Sequence, residues 1–438
     1  MVAPSNGMIG IGPYTQFAVD PTAMTNPPIR RLPQWRQPTS ILTNFQSGHG
    51  FVNNAGSTFV ANDTTDFILG TQACKITTGG TGAAANVSKT AGSAFDTTGK
   101  VIRLRLKVDD ITHMVGLNLF LGTSSFANNY KWIIQGGAVG SNFIISGQWL
   151  TVTLNFHDAT TSGTPTRSGL TDIRLQVTDD GTAPVTAHYQ SVELISDASA
   201  AFPNGVVSIC FDDCWQSAFD NGKPRLDLYG YPASIYTIRD LVGTSGRLSE
   251  KELRDLQDRM GWEIASHAST DADHSVTYTG LTANQLDADL ATMRGYTVSD
   301  GWRGGDGTAY PLGQYGTTSD GFSTTDIVQK YFRYARTTNS KTKETFPPAD
   351  PFRLRSISSI SSFSGGYSPT NLTTATTGDL DLAKTNQTWL ILTFHKVSTG
   401  SPTDTSTISQ TDFNSIIDKI NTNAMPVIPV GDVLSFYN

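Results

Sequence analysis

The chain has 438 residues, which is enough for two or three domains of ordinary size. Its formal net charge is −7, so we do not expect a protein that binds nucleic acid through a basic face. Hydrophobic residues make up 38% of the chain, which supplies material for packed cores and argues against disorder over the whole length. No run approaches the roughly 18 apolar residues that a membrane span requires.

The cysteines and the amino terminus bear on where the protein acts. Cys74, Cys210 and Cys214 are too few for a disulfide-stapled secreted scaffold. The first residues lack the basic and apolar regions of a secretory signal, so we expect no Sec export. A chain of this kind that works outside a cell would leave by lysis or as part of an assembled particle.

Residues 1–38 are rich in proline and carry no periodic apolar pattern. This composition predicts an extended arm. Two interpretations stay open, a poorly ordered terminus and a segment that becomes ordered against a partner chain.

Between residues 39 and 200, apolar and polar residues alternate with a period of two. The clearest case is residues 101–108, VIRLRLKV, and residues 150–156 and 173–177 repeat the pattern. Such alternation, with turn clusters between the runs, predicts a jelly-roll-like β-sandwich. Sandwiches of this kind serve as carbohydrate-binding modules or as spacers, and the fold does not decide between them.

From residue 201 to 438 the pattern changes to strands that alternate with helices, which predicts a parallel sheet closed as a barrel. The expected strands are residues 206–211, 233–238, 262–266, 331–336, 353–357, 389–395 and 426–430. Three expected helix starts share a hydroxyl N-cap followed three residues later by an acid or amide, namely Ser249 with Glu252, Thr282 with Gln285, and Ser409 with Asp412.

Candidate reactive residues follow the ends of these strands, where barrels of this type carry their chemistry. Asp212 and Asp213 end the first strand, and neighbouring residues there point to different sides. The pair therefore does not suit a glycosidase, whose two carboxylates face each other across the bond. One aspartate on a metal and the other as a base fits better, although two helix N-caps remain the simpler alternative.

Three histidines add to this set. His267 ends another strand and His274 follows in the next loop, so both can converge with Asp213 on one divalent ion. His395 closes the apolar strand 389–395, where an ionisable side chain is costly without a partner or a role.

These segments resemble the motifs of the polysaccharide deacetylases (NodB-homology, carbohydrate esterase family 4), in family order over residues 206–436. The resembling segments are FDD at 211–213, WEIASH at 262–267, TAYPLG at 308–313, PFRLR at 351–355 and LTFH at 392–395. The resemblance implies a deformed (β/α) barrel and a metal-dependent deacetylase with a divalent ion, expected to be Zn²⁺.

The resemblance also implies roles for individual residues. Asp212 would be the general base, His395 the general acid, and Arg355 the residue that orients the base. Asp213, His267 and His274 would bind the metal. Tyr310 and Pro311 would line the acetyl pocket, with a backbone N–H near Tyr310 for the oxyanion.

Two departures from the family pattern matter. The family usually places its second metal histidine four residues after the first, where this chain has Asp271, so Asp271 is the alternative to His274. The residue after the aspartate pair is usually glycine and here is Cys214. Its thiol could bind the metal or become oxidised, but a small, buried and inert cysteine is favoured.

The layout of arm, sandwich and barrel resembles minor tail proteins of actinobacteriophages. This implies a location in the virion, action on a cell-wall or capsule polysaccharide, docking to other tail proteins, and a homo-oligomer such as a trimer. The alternative is a receptor-binding or structural tail protein that keeps the deacetylase fold without turnover. The Asp271 and Cys214 departures favour that alternative.

Overall fold

The computed structural model describes residues 38–136 and 144–436, and the expected arm at residues 1–38 lies almost wholly outside these ranges. The described chain divides into two compact units. The sandwich unit runs to Ala198 and includes Lys341–Ala349; the barrel unit comprises Ser199–Ser340 and the chain from Asp350 onward. No helix in the described ranges is both long and apolar enough to cross a membrane.

The sandwich unit consists of two six-stranded antiparallel sheets. Its strands are β1 (Ser40–Thr43), β2 (Val52–Ala55), β3 (Ser57–Asp63), β4 (Ala73–Thr78), β5 (Ala84–Phe95), β6 (Lys100–Val108), β7 (Met114–Thr123), β8 (Asn128–Gly136), β9 (Leu150–Leu154), β10 (Thr160–Ser162), β11 (Leu170–Asp179) and β12 (Thr186–Ser196). The first sheet has the order β3-β4-β12-β6-β9, with β1 also paired to β12. The second has the order β10-β8-β7-β11-β5-β2.

The alternation in the sequence places one face of each sheet in a shared core. Leu104 and Leu106 of β6 and Leu119 and Leu175 of the second sheet belong to the same buried cluster. The prediction for residues 101–108 is therefore confirmed, because the residues between these leucines lie on the opposite face.

Residues 341–349, which we call the returning segment, pack with the sandwich unit although they follow much of the barrel in sequence. The Thr345 hydroxyl lies 2.6 Å from that of Thr153 on β9. Asn155 donates to the Glu344 carbonyl at 3.2 Å, and Ala349 joins the sandwich core. The sequence analysis assigned these residues to the barrel, because a return across this distance in sequence leaves no local pattern.

The barrel unit is built from a six-stranded parallel sheet with helices between its strands. Its strands are β13 (Val206–Asp212), β14 (Ser234–Ile238), β15 (Glu263–Ala268), β16 (Gly307–Ala309), β17 (Tyr334–Arg336) and β18 (Trp389–Phe394), with the small pair β19 (Lys396–Ser398) and β20 (Thr407–Ser409). Its helices are α1 (Lys223–Tyr229), α2 (Glu250–Met260), α3 (Asp271–Gly280), α4 (Ala283–Ser299), α5 (Thr324–Val328), α6 (Pro369–Thr373), α7 (Asp379–Asn386), α8 (Gln410–Thr422) and α9 (Val430–Ser435).

The sheet order is β17-β16-β15-β14-β13-β18, and a short segment joins its two edges. Leu354 bridges to Arg336 of β17, and Ile357 bridges to Leu392 of β18. Residues 353–357, expected as a full strand, therefore form only isolated bridges, yet they close the ring. Residues 426–430 likewise contribute one bridge, from Val427 to Val207, and the short strand β16 was not predicted.

The three predicted helix starts are confirmed. Ser249 and Thr282 form complete capping boxes with Glu252 and Gln285. Ser409 accepts the backbone N–H of Asp412. These caps satisfy N–H groups that a helix leaves unpaired in its first turn, so the local sequence fixes where each helix begins.

Candidate metal centre and active site

The candidate residues meet at one edge of the parallel sheet. Asp212 is the last residue of β13, His267 lies near the end of β15, and His395 directly follows β18. Because these strands run parallel, their carboxyl ends share the same end of the ring. The candidate residues that the sequence analysis placed at strand ends therefore lie at one end of the ring.

Asp213 follows Asp212 in an unusual backbone conformation. Its φ is 65° and that of Cys214 is 49°, so two successive residues adopt the left-handed region. This conformation costs about 1 kcal/mol for a residue other than glycine. Arg247 donates to the Asp213 carbonyl at 2.5 Å, and the Trp215 indole N–H donates to its carboxylate Oδ2 at 3.2 Å. These bonds hold the strained turn and fix one oxygen of Asp213.

The other oxygen of Asp213 faces two imidazole rings. Oδ1 lies 3.7 Å from His267 Nε2 and 3.6 Å from His274 Nε2, and the two nitrogens lie 3.2 Å apart. Among the described residues, Asp213, His267 and His274 form a group whose ligand atoms all lie within 4.8 Å of one another. This is the set that the sequence analysis assigned to a metal.

These three residues fit a divalent cation. In the described part of the chain, Asp213 Oδ1 is buried and accepts no hydrogen bond. His267 Nδ1 lies 3.0 Å from the Ala309 carbonyl, which requires the proton on Nδ1 and leaves the Nε2 lone pair free to bind an ion. A carboxylate and two imidazoles are a ligand set of catalytic zinc sites, in which further positions stay open.

The electrostatics of the group agree with this fit. Burial would raise the pKa of Asp213, but His267, His395 and His274 and the Trp215 bond lower it overall, so the carboxylate is ionised. Burial, followed by the neighbouring His267, lowers the pKa of His274 to about 4. A neutral imidazole beside an ionised carboxylate is the protonation state that a metal requires.

His274 reaches this group because of the way α3 begins. The Thr270 hydroxyl caps the helix by accepting the N–H of Asp273, and His274 lies buried in the first turn. Asp271 is exposed, and its backbone N–H donates to Asp240. Of the two ligands that the sequence left open, the structure brings His274 to Asp213 and His267.

Asp212 pairs with an arginine that the sequence analysis did not single out. Arg336 Nη2 lies 2.6 Å from each carboxylate oxygen of Asp212, and the guanidinium is fully buried. Burial opposes the charge of Arg336, but Asp212 raises its pKa overall. Arg336 is the last residue of β17, so the argument used for His395, a charged side chain at the end of a buried strand, could have found it.

Arg355, which the resemblance assigned to this role, is also buried in the barrel unit, at 2% exposure. It lies in the segment that closes the ring, two residues before Ile357. Its pairing with Asp212 stays a prediction, whereas the contact of Arg336 with Asp212 is direct.

In the sheet order, β13 with Asp212 lies between β15, which carries His267, and β18, which His395 follows. The Nε2 of His395 is 4.0 Å from Asp212 Oδ2, and its side chain is 22% exposed, against 3% for that of His267. It is therefore the histidine of this site that solvent or a ligand reaches most readily.

Tyr310 and Pro311 lie in a short turn next to the site and are both buried. The Tyr310 ring packs between Tyr278 and Tyr315, at 6.1 and 5.4 Å between ring centroids. The Tyr310 N–H donates to the Arg336 carbonyl at 3.0 Å, so this N–H is already engaged. The exposed side chain of the turn belongs to Leu312, at 56% exposure.

Cys214 is buried, and its Sγ lies 3.9 Å from the Ile238 carbonyl. Burial raises the pKa of its thiol to about 12. The group formed by Asp213, His267 and His274 does not include it. The interpretation as a small inert side chain is thus the one that the structure favours.

Comparisons with known proteins bear on this site. Residues 199–321 match the family model described as polysaccharide deacetylase, a range that contains the metal group and Asp212 but not Arg336 or His395. No curated protein sequence matches the chain.

Three solved structures are similar in part. The Xyl-CE4 domain of a multidomain xylanase from the hindgut metagenome of Trinervitermes trinervoides has 15% identity and a TM-score of 0.33, covering 53% of this chain and 91% of that one. The T48 deacetylase with substrate has 12% identity and a TM-score of 0.33, covering 55% and 95%. A carbohydrate-binding module of the β-sandwich superfamily has 14% identity and a TM-score of 0.28, covering 36% of this chain and 62% of that one, less than two thirds of its length.

Proposed function

We propose that the barrel unit is a metal-dependent hydrolase that removes N- or O-linked acetyl groups from a polysaccharide. One observation supports this above the others. A buried Asp–His–His group that fits a divalent cation lies beside a second carboxylate, Asp212, which is held by a buried arginine and flanked by a more exposed histidine. The family match over residues 199–321 supports the same reaction.

The ion would be held by Asp213, His267 and His274, and Zn²⁺ is the expected ion because of the nitrogen-rich ligand set. When bound, such an ion polarises an acyl carbonyl and lowers the pKa of a coordinated water. The chain supplies the remaining steps through its own side chains.

Asp212 acts as general base in this proposal. Its Oδ2 lies 3.8 Å from His267 Nε2 and therefore beside the space between the metal ligands. Arg336 contacts both carboxylate oxygens of Asp212 and fixes the orientation of the carboxylate, so that Asp212 takes a proton from the attacking water.

His395 acts as general acid. It lies 4.0 Å from Asp212 and is exposed enough to meet the leaving group of a bound sugar. As an imidazolium it gives a proton to the departing nitrogen or oxygen when the bond to the acetyl carbon breaks.

The biological setting is part of the proposal and is supported by the sequence layout alone. We propose that the substrate is a cell-wall or capsule polysaccharide and that the chain is a subunit of a phage tail, where it forms a homo-oligomer such as a trimer. Mass spectrometry and antibody labelling of purified virions test this directly. Absence of the chain from virions that infect normally would contradict it.

The enzyme assay is acetate release from acetylated chitooligosaccharide and acetylated xylan, with the protein stripped by a chelator and then reloaded with Zn²⁺. We expect release that disappears on stripping and returns on reloading. Asp212→Asn should abolish release while Zn²⁺ still binds, since it removes the base and leaves the metal group intact. Tight Zn²⁺ binding without release from any acetylated glycan would favour the alternative of a tail protein without turnover.

A further inference from the structure

We propose that the outer face of the second sheet of the sandwich unit binds an acidic polysaccharide strand. We call this surface the amide face and define it by Asn86, Asn118, Phe120, Lys131, Arg174 and Gln176. It lies on β5, β7, β8 and β11, the four longest strands of that sheet. The proposal concerns the sandwich unit and does not depend on the barrel being an enzyme.

The alternation of the strands places these side chains away from the core. Leu117 and Leu119 of β7 are fully buried in the core cluster, so Asn118 between them points to the other face. In the same way Leu175 of β11 is in the core, and Arg174 and Gln176 flank it on the outside.

One row of the face consists of amides that lie side by side. Gln176 is in register with Asn86 on one neighbouring strand and with Asn118 on the other. The Asn118 Nδ2 donates to Gln176 Oε1 at 2.9 Å. In the described residues, the Oδ1 of Asn118 is buried and accepts no hydrogen bond, and Asn118 is only 7% exposed. A buried acceptor without a partner costs about 1–3 kcal/mol, and a ligand hydroxyl would recover this cost when the Asn118 amide turns towards it.

The next row combines cations with an aromatic ring. Phe120 lies in register with Arg174 on one side and with Lys131 on the other. The Arg174 guanidinium carbon is 5.6 Å and the Lys131 Nζ is 5.5 Å from the centroid of the Phe120 ring. The Nε of Arg174 is a second buried polar atom that has no partner in the described structure.

A strained loop brings a second aromatic ring to this row. Ser124, Ser125 and Phe126 all have positive φ, between 54° and 70°. The loop places the Phe126 ring 3.9 Å from the Arg174 guanidinium carbon, and Asp172 holds it by accepting the Phe126 N–H at 3.3 Å. Strain of this kind, kept by specific bonds, is typical of binding surfaces.

The chemistry of the two rows selects the ligand. Amide groups donate and accept at once, as the hydroxyls of a sugar do. The rings of Phe120 and Phe126 offer apolar surface to the C–H face of a pyranose. Lys131 and Arg174 are the cations of this surface, and the carboxylate of Asp172, which lies on the same face of β11, already accepts hydrogen bonds within the unit. The two cations outnumber this carboxylate, so charge complementarity favours a glycan that carries carboxylates, which guanidinium groups bind well.

The test is affinity electrophoresis of the full chain in gels that contain hyaluronan, polygalacturonate or neutral mixed-linkage β-glucan, with dissociation constants from calorimetry on hyaluronan oligosaccharides. We expect retardation by the acidic glycans and weaker retardation by the neutral one. Arg174→Gln and Phe120→Ala should each weaken binding at least about tenfold, and Arg174→Lys, which keeps the charge, should restore part of it.

The control is Lys100→Gln, which removes a half-buried cation of the first sheet and should bind as the parent does. Thermal unfolding identifies variants that fail to fold, and Gln176→Ala supplies a milder variant of the amide row. Equal binding by parent, Arg174→Gln and Phe120→Ala would overturn the proposal. So would the absence of retardation in every acidic gel, or stronger binding to the neutral glycan.

Discussion

Arg336 Nη2 lies 2.6 Å from both carboxylate oxygens of Asp212, and the two side chains are almost entirely removed from solvent. This pair joins the ends of β17 and β13, which are the first and the fifth strands in the order of the six-stranded sheet. Its rupture leaves one buried charge without a partner.

We therefore expect Arg336→Met to lower the free energy of unfolding by about 3–5 kcal/mol and to suppress acetate release. Arg336→Lys should fold but lower the rate of acetate release, because one ammonium replaces a planar guanidinium poorly. The measurements are denaturant unfolding and rates of acetate release. A slow Arg355→Lys variant beside a normal Arg336→Lys variant would instead support the role that the resemblance gave to Arg355.

Metal affinity separates His274 from Asp271. His274→Gln removes a nitrogen that faces Asp213 and His267, so we expect Zn²⁺ affinity to fall at least about 100-fold by chelator competition. Asp271→Asn, at an exposed position three residues earlier, is the matched control and should leave the affinity within about twofold. The reverse order would make Asp271 the ligand.

The indole N–H of Trp215 should also matter for the metal. It donates to Asp213 Oδ2, and the Arg247 guanidinium carbon lies 3.3 Å from the centroid of its ring. Trp215→Phe keeps the ring and deletes the bond, so we expect a loss of Zn²⁺ affinity of about 10-fold to 100-fold. Trp132→Phe deletes an indole bond to the Asn155 carbonyl in the sandwich unit and serves as the control. Equal affinities for both variants would remove Trp215 from this role.

Glu263 should make stability depend on pH. It is buried at the start of β15, accepts from Ser234 and Gly431, and has its pKa raised to about 8 by burial and by Asp432 and Asp306. Because the folded pKa lies above the unfolded one, its contribution is fully present below about pH 4.5 and is lost as the pH rises through 8.

We expect the free energy of unfolding of the parent to fall relative to that of Glu263→Gln between pH 5 and 9, by a few kcal/mol at most. Glu252→Gln is the control. The capping bonds from Ser249 outweigh burial and lower the pKa of Glu252, so it is already ionised and should add no slope in this range. Parallel pH profiles for the parent and Glu263→Gln would contradict the prediction.

Cys214 should not contribute to metal binding. Its thiol is buried, and its left-handed φ of 49° is one that glycine adopts without cost. Cys214→Gly should therefore keep Zn²⁺ affinity within about twofold, with relief of strain offsetting the lost burial to within about 1 kcal/mol. A large loss of affinity would show that the thiol belongs to the metal group.

The sequence predicted the parts of this structure that local physics determines. The capping residues Ser249 and Thr282 placed two helices, and the strand ends placed Asp212, His267 and His395 at one rim. The choice between Asp271 and His274 was open because it depends on the turn of α3 that follows Thr270. The spacing of Thr270 and Asp273, which is that of an N-cap and the third residue of a helix, was the sequence signal for this turn.

The strand-end argument could have named Arg336 as a candidate residue, but not as the partner of Asp212. Arg336 is the last residue of the short strand β17, and Arg355 lies in the short segment that closes the ring. The positions of their side chains depend on bridges such as the one between Arg336 and Leu354. Those bridges pair residues that no sequence period relates. The amide face was likewise hidden, because the register of Gln176 with Asn86 and Asn118 is a property of the folded sheet.

The returning segment has a consequence for how this protein is made and cut. A ribosome that has released residues up to 198 has not yet supplied Glu344, Thr345 or Ala349, which the sandwich uses as partners for Asn155 and Thr153 and in its core. The sandwich can therefore reach its final state only after most of the chain has emerged. A fragment truncated at residue 198 would therefore expose a surface of the sandwich unit that residues 341–349 cover in the full chain.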